Sequence, residues 1–353
     1  MTVARRFPHA RLDGLAALKG DASTRRFWRV TLASATPSGG NPSDNARSDN
    51  DPPPSAIAID LGPDDLPLYA RTLKLLAEPL AEPPWLNLHR FLTAIGTPVP
   101  ALYMADVRAR MLLVEDVGDL PLFEAATRGH AGDLYRLAAD ALLTLHLDGT
   151  SRLDDRCIAS RVAYDERLLR WELDQFVEFG ARAAAPSADP AALAPELDRL
   201  AAHLGRLPRV LSHRDYHGHN LFVQTAPDGA PHLRMIDFQD ALMAPAAQDL
   251  AVLLTTRDAA RIITPVTERR VLDYYFAALI RRGAPAALAH DEFIASYRLC
   301  VLQHALKVIG RFVVLERGGK PGYAIYIPYA IAQARRALAE LGDYPKLRAA
   351  FGA

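Results

Sequence analysis

Apolar positions along the chain shift near Leu120 from mainly strand-length runs to mainly helical spacing. Before it, short apolar runs of strand length are separated by turn residues. Phe27 to Val30, Ala56 to Leu61, Ala101 to Ala105 and Met111 to Glu115 predict strands, interrupted by helical spacing over Leu66 to Leu76 and Pro84 to Ile95. Residues up to Leu18 are expected to form a helical or irregular lead-in. After Leu120, Ala and Leu recur every three or four positions. Helices are predicted over Gly132 to Leu147, Ala163 to Gly180, Ala191 to Leu204, Ala247 to Thr255, Thr267 to Gly283, Asp291 to Glu316 and Tyr329 to Leu341, with Thr267 and Asp291 as caps. Inside this helical half, Val210-Leu211, Leu221 to Gln224 and Leu233 to Ile236 again read as strands, the last two joined by a turn at Pro227 to Gly229. The pattern gives an α+β chain in two lobes, a small mainly β lobe over residues 1–117 and a larger mainly helical lobe over 118–353.

One stretch breaks the pattern without replacing it. Ser34 to Ser55 is rich in Pro, Ser, Asn, Asp and Gly and has almost nothing to bury, so it is expected to be a mobile insertion between strands.

Composition narrows the class. At 353 residues the chain can build two substantial cores, and 41 Lys plus Arg balance 41 Asp plus Glu. No overall field therefore recruits nucleic acid or an anionic membrane, and any phosphate binding must be local. Cys157 and Cys300 lack metal-ligand spacing and suit buried thiols in a reducing compartment. Met1 to Phe7 has arginines but no apolar run after them, and no run reaches membrane-spanning length. A cytoplasmic monomer acting on small molecules is the expectation.

The chemistry is concentrated between Val210 and Phe238. Asp215 is followed five positions later by Asn220, and after a hairpin a short apolar strand delivers Asp237. Phosphoryl transfer asks for these groups: a carboxylate to accept the proton of an attacking hydroxyl, and hard oxygen donors for Mg²⁺. His213, His217 and His219 surround Asp215. A zinc site is the alternative reading of these histidines, but Gly218 and the flanking strands oppose the helix it would need. His213 is expected to pack the loop, and His217 and His219 to face substrate or product phosphate. Asp249 is expected to tether the loop or cap the helix after it. Glu316 to Gly322 has glycines and Lys320, but lacks the Ser/Thr and spacing of a P-loop and reads as a helix-ending loop.

His213-Arg214-Asp215-Tyr216 with Asn220, followed by Asp237-Phe238, resembles the catalytic and metal-binding pattern of kinase-like phosphotransferases. Asp237-Phe238-Gln239 departs from Asp-Phe-Gly, and no Ala-Pro-Glu segment follows, which argues against protein substrates. The His-x-Asp-x-His-x-x-Asn form, with Gln248-Asp249-Leu250 downstream, looks like the aminoglycoside phosphotransferase and choline kinase branch. Four further stretches resemble the anomeric sugar kinases of bacterial cell-wall recycling. They are Gly20 to Arg29, Leu113 to Asp119, Asp237 to Ala241, and Leu302 to Phe312. Those enzymes use ATP to phosphorylate N-acetylmuramate and N-acetylglucosamine.

The resemblance implies a two-lobe protein-kinase-like fold with ATP and Mg²⁺ as cofactors. It makes Asp215 the catalytic base and Asn220 and Asp237 the Mg²⁺ ligands. Gly20, Asp21, Ala22 and Ser23 become the loop over the phosphates, and Glu115, Asp116 and Val117 the hinge that meets adenine. The phosphate-pairing lysine expected on the third strand is missing, with Asp60 as the charged residue there, so Arg26 or Arg29 is expected to supply the cation. Glu172, Asp240, Gln303 and Lys307 are candidate sugar contacts beside His217 and His219, Gln303 and Lys307 sharing a helix face. An aminoglycoside- or choline-type kinase and a non-catalytic nucleotide-binding scaffold remain the rival readings.

Overall fold

The structure is a computed structural model that describes residues 6–20, 25–34, 52–62, 66, 68–76, 80–283 and 288–353. Asp21, Ala22 and Ser23, and most of the Ser34 to Ser55 insertion, lie outside the described residues. The chain divides into two compact units, one of Met1–Leu66, Ala81–Pro83 and Pro100–Gly118, the other of Pro67–Leu80, Pro84–Val99 and Asp119–Ala353. The division therefore crosses the sequence several times, because the two early helices pack with the later helical half.

The first unit is one antiparallel sheet. Its strands are β1 (Ala10–Leu18), β2 (Arg26–Ser34), β3 (Ser55–Asp60), β4 (Leu102–Asp106) and β5 (Met111–Glu115), in the order β1-β2-β3-β5-β4. Phe7, Val30, Leu32, Ala56 and Leu113 form its core. The lead-in expected to be helical or irregular is in fact β1, an edge strand with Leu12 and Leu15 exposed. Its apolar residues do not alternate cleanly because a bulge between Leu12 and Gly14 shifts their register against β2.

The second unit carries helices α1 (Leu68–Thr72), α2 (Pro84–Ala94), α3 (Leu122–Thr127), α4 (Ala131–Leu143), α5 (Glu166–Gln175) and α6 (Pro190–Gly205). They are followed by α7 (Ala246–Thr255), α8 (Pro265–Arg281), α9 (His290–Arg317), α10 (Ile327–Glu340) and α11 (Pro345–Phe351). Two expected caps move. Thr264, not Thr267, caps α8 by accepting from the Thr267 N–H at 3.1 Å, since Pro265 at the first helical position needs no partner for its nitrogen. At α9 the first turn begins at His290, and Glu292 reaches back to the Ala289 N–H at 3.1 Å. Among the described residues no helix is long and apolar enough to cross a membrane. Cys157 and Cys300 are buried free thiols, and burial pushes the Cys157 thiol up to about 11.

The long helix α9 organises this unit. Val301, Leu302, Leu306 and Ile309 are buried along it. It crosses the π-helical turn Phe176–Gly180 so closely that a Cβ on Gly310 would stand 2.6 Å from the Gln175 carbonyl oxygen. Two backbones, not two side chains, set that spacing. Gly310→Ala is therefore expected to lower stability by about 1–3 kcal/mol, read as a reduced urea midpoint; an unchanged midpoint would mean that the helices separate freely.

Candidate active site

Four short strands of the second unit build the catalytic stretch. β6 (Arg209–Ser212) pairs antiparallel with β9 (Leu242–Pro245), and β7 (Leu221–Thr225) with β8 (Pro231–Met235). The hairpin turns at Gly229, whose φ of +85° requires glycine or a strained side chain. In these registers Ser212 lies opposite Leu242 and Leu221 opposite Met235. The loops 213–220 and 236–241 are thus clamped between two ladders. Two further bonds lock them: the Ile236 N–H donates to the Asn220 carbonyl and the His213 ring donates to the Ile236 carbonyl, both at 2.9 Å.

The catalytic loop is held from below by Asp249. Its buried carboxylate accepts from the His213 and Arg214 N–H groups at 2.9 Å each and from His146 Nε2 at 3.0 Å. Burial alone would raise this carboxyl, but His146 and the loop outweigh it, and its pKa is lowered. Arg214 is kept at a φ of +75°, a left-handed conformation that costs an unconstrained side chain about 1–3 kcal/mol. Asp237 is likewise left-handed, with a φ of +62°. Tyr216 anchors the loop's far side by donating to the Ala138 carbonyl at 2.9 Å.

Around Asp215 the charges alternate. Lys307 Nζ stands 3.8 Å from its carboxylate, 3.3 Å from Glu172 and 3.2 Å from the Tyr164 hydroxyl. Arg214 donates to Glu172 at 2.8 Å, lies 3.6 Å from Asp240 and stacks over Tyr69 at 4.1 Å. Gln303 donates to the other Glu172 oxygen at 2.8 Å. Glu172, at 1% exposure, is therefore the buried hub that holds both cations. Burial would raise it, yet Lys307 and Arg214 hold it below the ordinary carboxylate value. The Asp215 side chain keeps 34% of its surface exposed. Its partial burial favours the neutral acid, but Lys307 and Arg214, with His217 and His213, hold it ionised well below the usual range.

Asn220 donates its amide nitrogen to the Asp215 carbonyl at 2.9 Å, which commits that end of the amide and leaves the oxygen as its acceptor end. Asp237 receives Gln239 Nε2 at 2.9 Å on one oxygen. One amide oxygen and one carboxylate, on loops fixed to each other, are hard donors that fit Mg²⁺. The three histidines do not converge as a zinc site. His213 bonds Ile236, His219 donates to Asp258 at 2.8 Å and stacks on Phe123, and among the described residues no group of three or more His, Cys, Asp and Glu could hold a metal. Burial drives the His217 pKa down, so it lies in the site as a neutral imidazole.

The structure brings Asp215, Glu172, Asp240, Gln303 and Lys307 together through one network, in which Glu172 and Lys307 are bound to each other. In the first unit, Arg26 is paired across the β2–β3 ladder with Asp60 at 2.5 Å, and Arg29 grips Asp116 with a fork of 2.7 and 3.1 Å. Asp116 also accepts from the Gly118 N–H at 3.1 Å, and Glu115 from the Ala101 N–H at 3.0 Å. The Gly20 backbone is described only up to the start of its loop. Sequence reasoning passed over Tyr69, Tyr164 and Arg214 as parts of this network, and passed over Arg311, which stands outside its bonds one turn beyond Lys307 on α9. Arg311 had a signal, the four-residue spacing from Gln303 through Lys307; Tyr164, in the segment before α5, had none. The Glu316 to Gly322 loop ends α9: Glu316 accepts from the Gly322, Tyr323 and Ala324 N–H groups at 2.8, 2.5 and 2.7 Å, so its own carboxylate fills the backbone cradle.

A family model described as a phosphotransferase enzyme family matches residues 67–290. An N-acetylmuramate/N-acetylglucosamine kinase of Caulobacter vibrioides is 33% identical over 332 residues, which cover 88% of this chain and 84% of the relative. The protein of the same name from Pseudomonas aeruginosa is 30% identical over 272 residues, covering 74% and 76%. Among solved structures, a spectinomycin phosphotransferase in complex with ADP and spectinomycin superposes with a TM-score of 0.53 at 14% identity, covering 99% of this chain and 95% of that one. At that identity the likeness is one of fold.

Proposed function

The chain belongs to the phosphotransferase enzyme family, and we propose that it transfers the γ-phosphoryl group of ATP to the anomeric hydroxyl of N-acetylmuramate, N-acetylglucosamine or both, in peptidoglycan recycling. The observation that carries this reading is the Asp215 carboxylate, held ionised by Lys307 and Arg214 on a loop locked to that of Asp237.

Asp215 accepts a hydrogen bond from the sugar hydroxyl, aims its oxygen at phosphorus and takes its proton as the new bond forms. Lys307 and Arg214 keep this carboxylate in the ionised form that the step needs, and the locked loop aims it at the hydroxyl whose proton it takes. Asn220 and Asp237 would hold Mg²⁺, which would supply positive charge to offset that of the phosphates. Gly20 with Asp21, Ala22 and Ser23 would cover the phosphates, and Glu115, Asp116 and Val117 would present backbone to adenine. Arg26 or Arg29, paired in the first unit with Asp60 and Asp116, would supply the cation that meets the phosphates.

The test is the position of the transferred phosphate. With ATP and either sugar, phosphorus NMR should show a product resonance split by the sugar's anomeric proton. A product coupled to any other position, or no product from either sugar, would sink the reading.

A further inference from the structure

Resting on that reading, we propose that Arg311 is a specificity-determining residue that binds the carboxylate of an acidic acceptor sugar, the lactyl group of N-acetylmuramate.

The cations nearest Asp215 are already spent within the protein. Lys307 is shared among Glu172, Tyr164 and Asp215, and Arg214 among Glu172, Asp240 and Tyr69. Arg311 is different. It lies four residues beyond Lys307 and eight beyond Gln303 on α9, so the three side chains climb one face toward the helix C-terminus. It is only partly exposed, and among the described residues no hydrogen bond or ion pair engages its guanidinium. The charges that act on it are those of the catalytic loop, attraction by Asp215 and repulsion by Arg214. Burial dominates both and lowers its pKa, the mark of a guanidinium losing water without gaining a partner.

A guanidinium offers a planar fork that matches a carboxylate. One helical turn sets Arg311 about 6 Å along the axis from Lys307, the scale of a single pyranose ring. A sugar whose anomeric hydroxyl meets Asp215 can therefore reach Arg311 with an acidic substituent on the same ring. The neighbouring close contact of Gly310 with Gln175 fixes the stretch of α9 backbone from which Arg311 extends. N-acetylglucosamine, which lacks the carboxylate, would leave Arg311 in water and owe it nothing.

The experiment compares the two sugars in wild type, Arg311→Gln and Arg311→Lys. Arg311→Gln should raise KM for N-acetylmuramate by about 10- to 100-fold, the worth of a charged hydrogen bond, and leave KM and kcat for N-acetylglucosamine unchanged. Arg311→Lys should recover part of the loss. With no mutation at all, the lactyl methyl ester of N-acetylmuramate should be as poor a substrate for wild type as the acid is for Arg311→Gln. Equal losses on both sugars would place Arg311 on the phosphates and overturn the inference. So would no loss on either, or an ester as good as the acid. Each of these leaves the sugar-kinase reading standing; a wild type that phosphorylates neither sugar removes that reading and this inference with it.

Discussion

Asp215→Asn should lower kcat by about 10²- to 10⁴-fold, the range for losing a positioned proton acceptor, with the affinity for ATP undiminished. The amide keeps the shape of the carboxylate and can still meet the sugar hydroxyl, but it cannot take its proton. It also removes a negative charge that repels the triphosphate, so any change in nucleotide affinity should be toward tighter binding. Lys307 and Arg214 stay paired with Glu172, and the unfolding midpoint should move little because the Asp215 side chain is 34% exposed. Single-turnover rates and ATP titrations on the same preparation separate these effects. A variant that retains near-wild-type turnover would exclude Asp215 as the proton acceptor. A wild type that binds ATP but phosphorylates no acceptor would instead identify a nucleotide-binding scaffold.

The catalytic stretch was legible because its signals are local. Asp215, Asn220 and Asp237 stand at fixed intervals between apolar runs, and the Pro-Asp-Gly turn announces the β7–β8 hairpin before any tertiary contact is considered. β9 was not legible. Leu242–Pro245 is four residues long, ends in proline and exists as a strand because β6, some thirty positions earlier, pairs with it. β1 was not legible either, since it is an edge strand that buries little and its bulge breaks what alternation it has. The site divides in the same way. Gln303 and Lys307 could be placed on one helix face from spacing alone, but spacing does not say that Lys307 would be taken up by Glu172 and Tyr164. The missing lysine of β3 also looks different in three dimensions. Asp60 ends that strand by accepting from the Gly62 N–H at 2.9 Å and pairing with Arg26, and these bonds lower its pKa. Its carboxylate is a strand-end partner in the ladder rather than a substitute for the absent cation.

Glu172→Ala should be the most damaging change to stability near the site, costing about 3–5 kcal/mol, the range for removing one partner of a buried ion pair. Glu172 touches Arg214, Lys307, Gln303 and Tyr164, and each loses an acceptor at once. Arg214 and Lys307 would be left as buried like charges, with Asp240 beside Arg214 and Asp215 beside Lys307 as the remaining anions. Lys307 would draw the Asp215 carboxylate inward, away from the sugar hydroxyl, so kcat should fall alongside stability. Removing one of the stranded cations tests whether this is the cause. If the cost comes from unpaired charge, the double variant Glu172→Ala with Lys307→Met should be less destabilised than the sum of the two single changes. If it comes from lost packing around Glu172, the two losses should add. Urea unfolding of the four proteins distinguishes the cases, and a cost below about 1 kcal/mol for Glu172→Ala, the level of an exposed pair, would remove the hub from the account altogether.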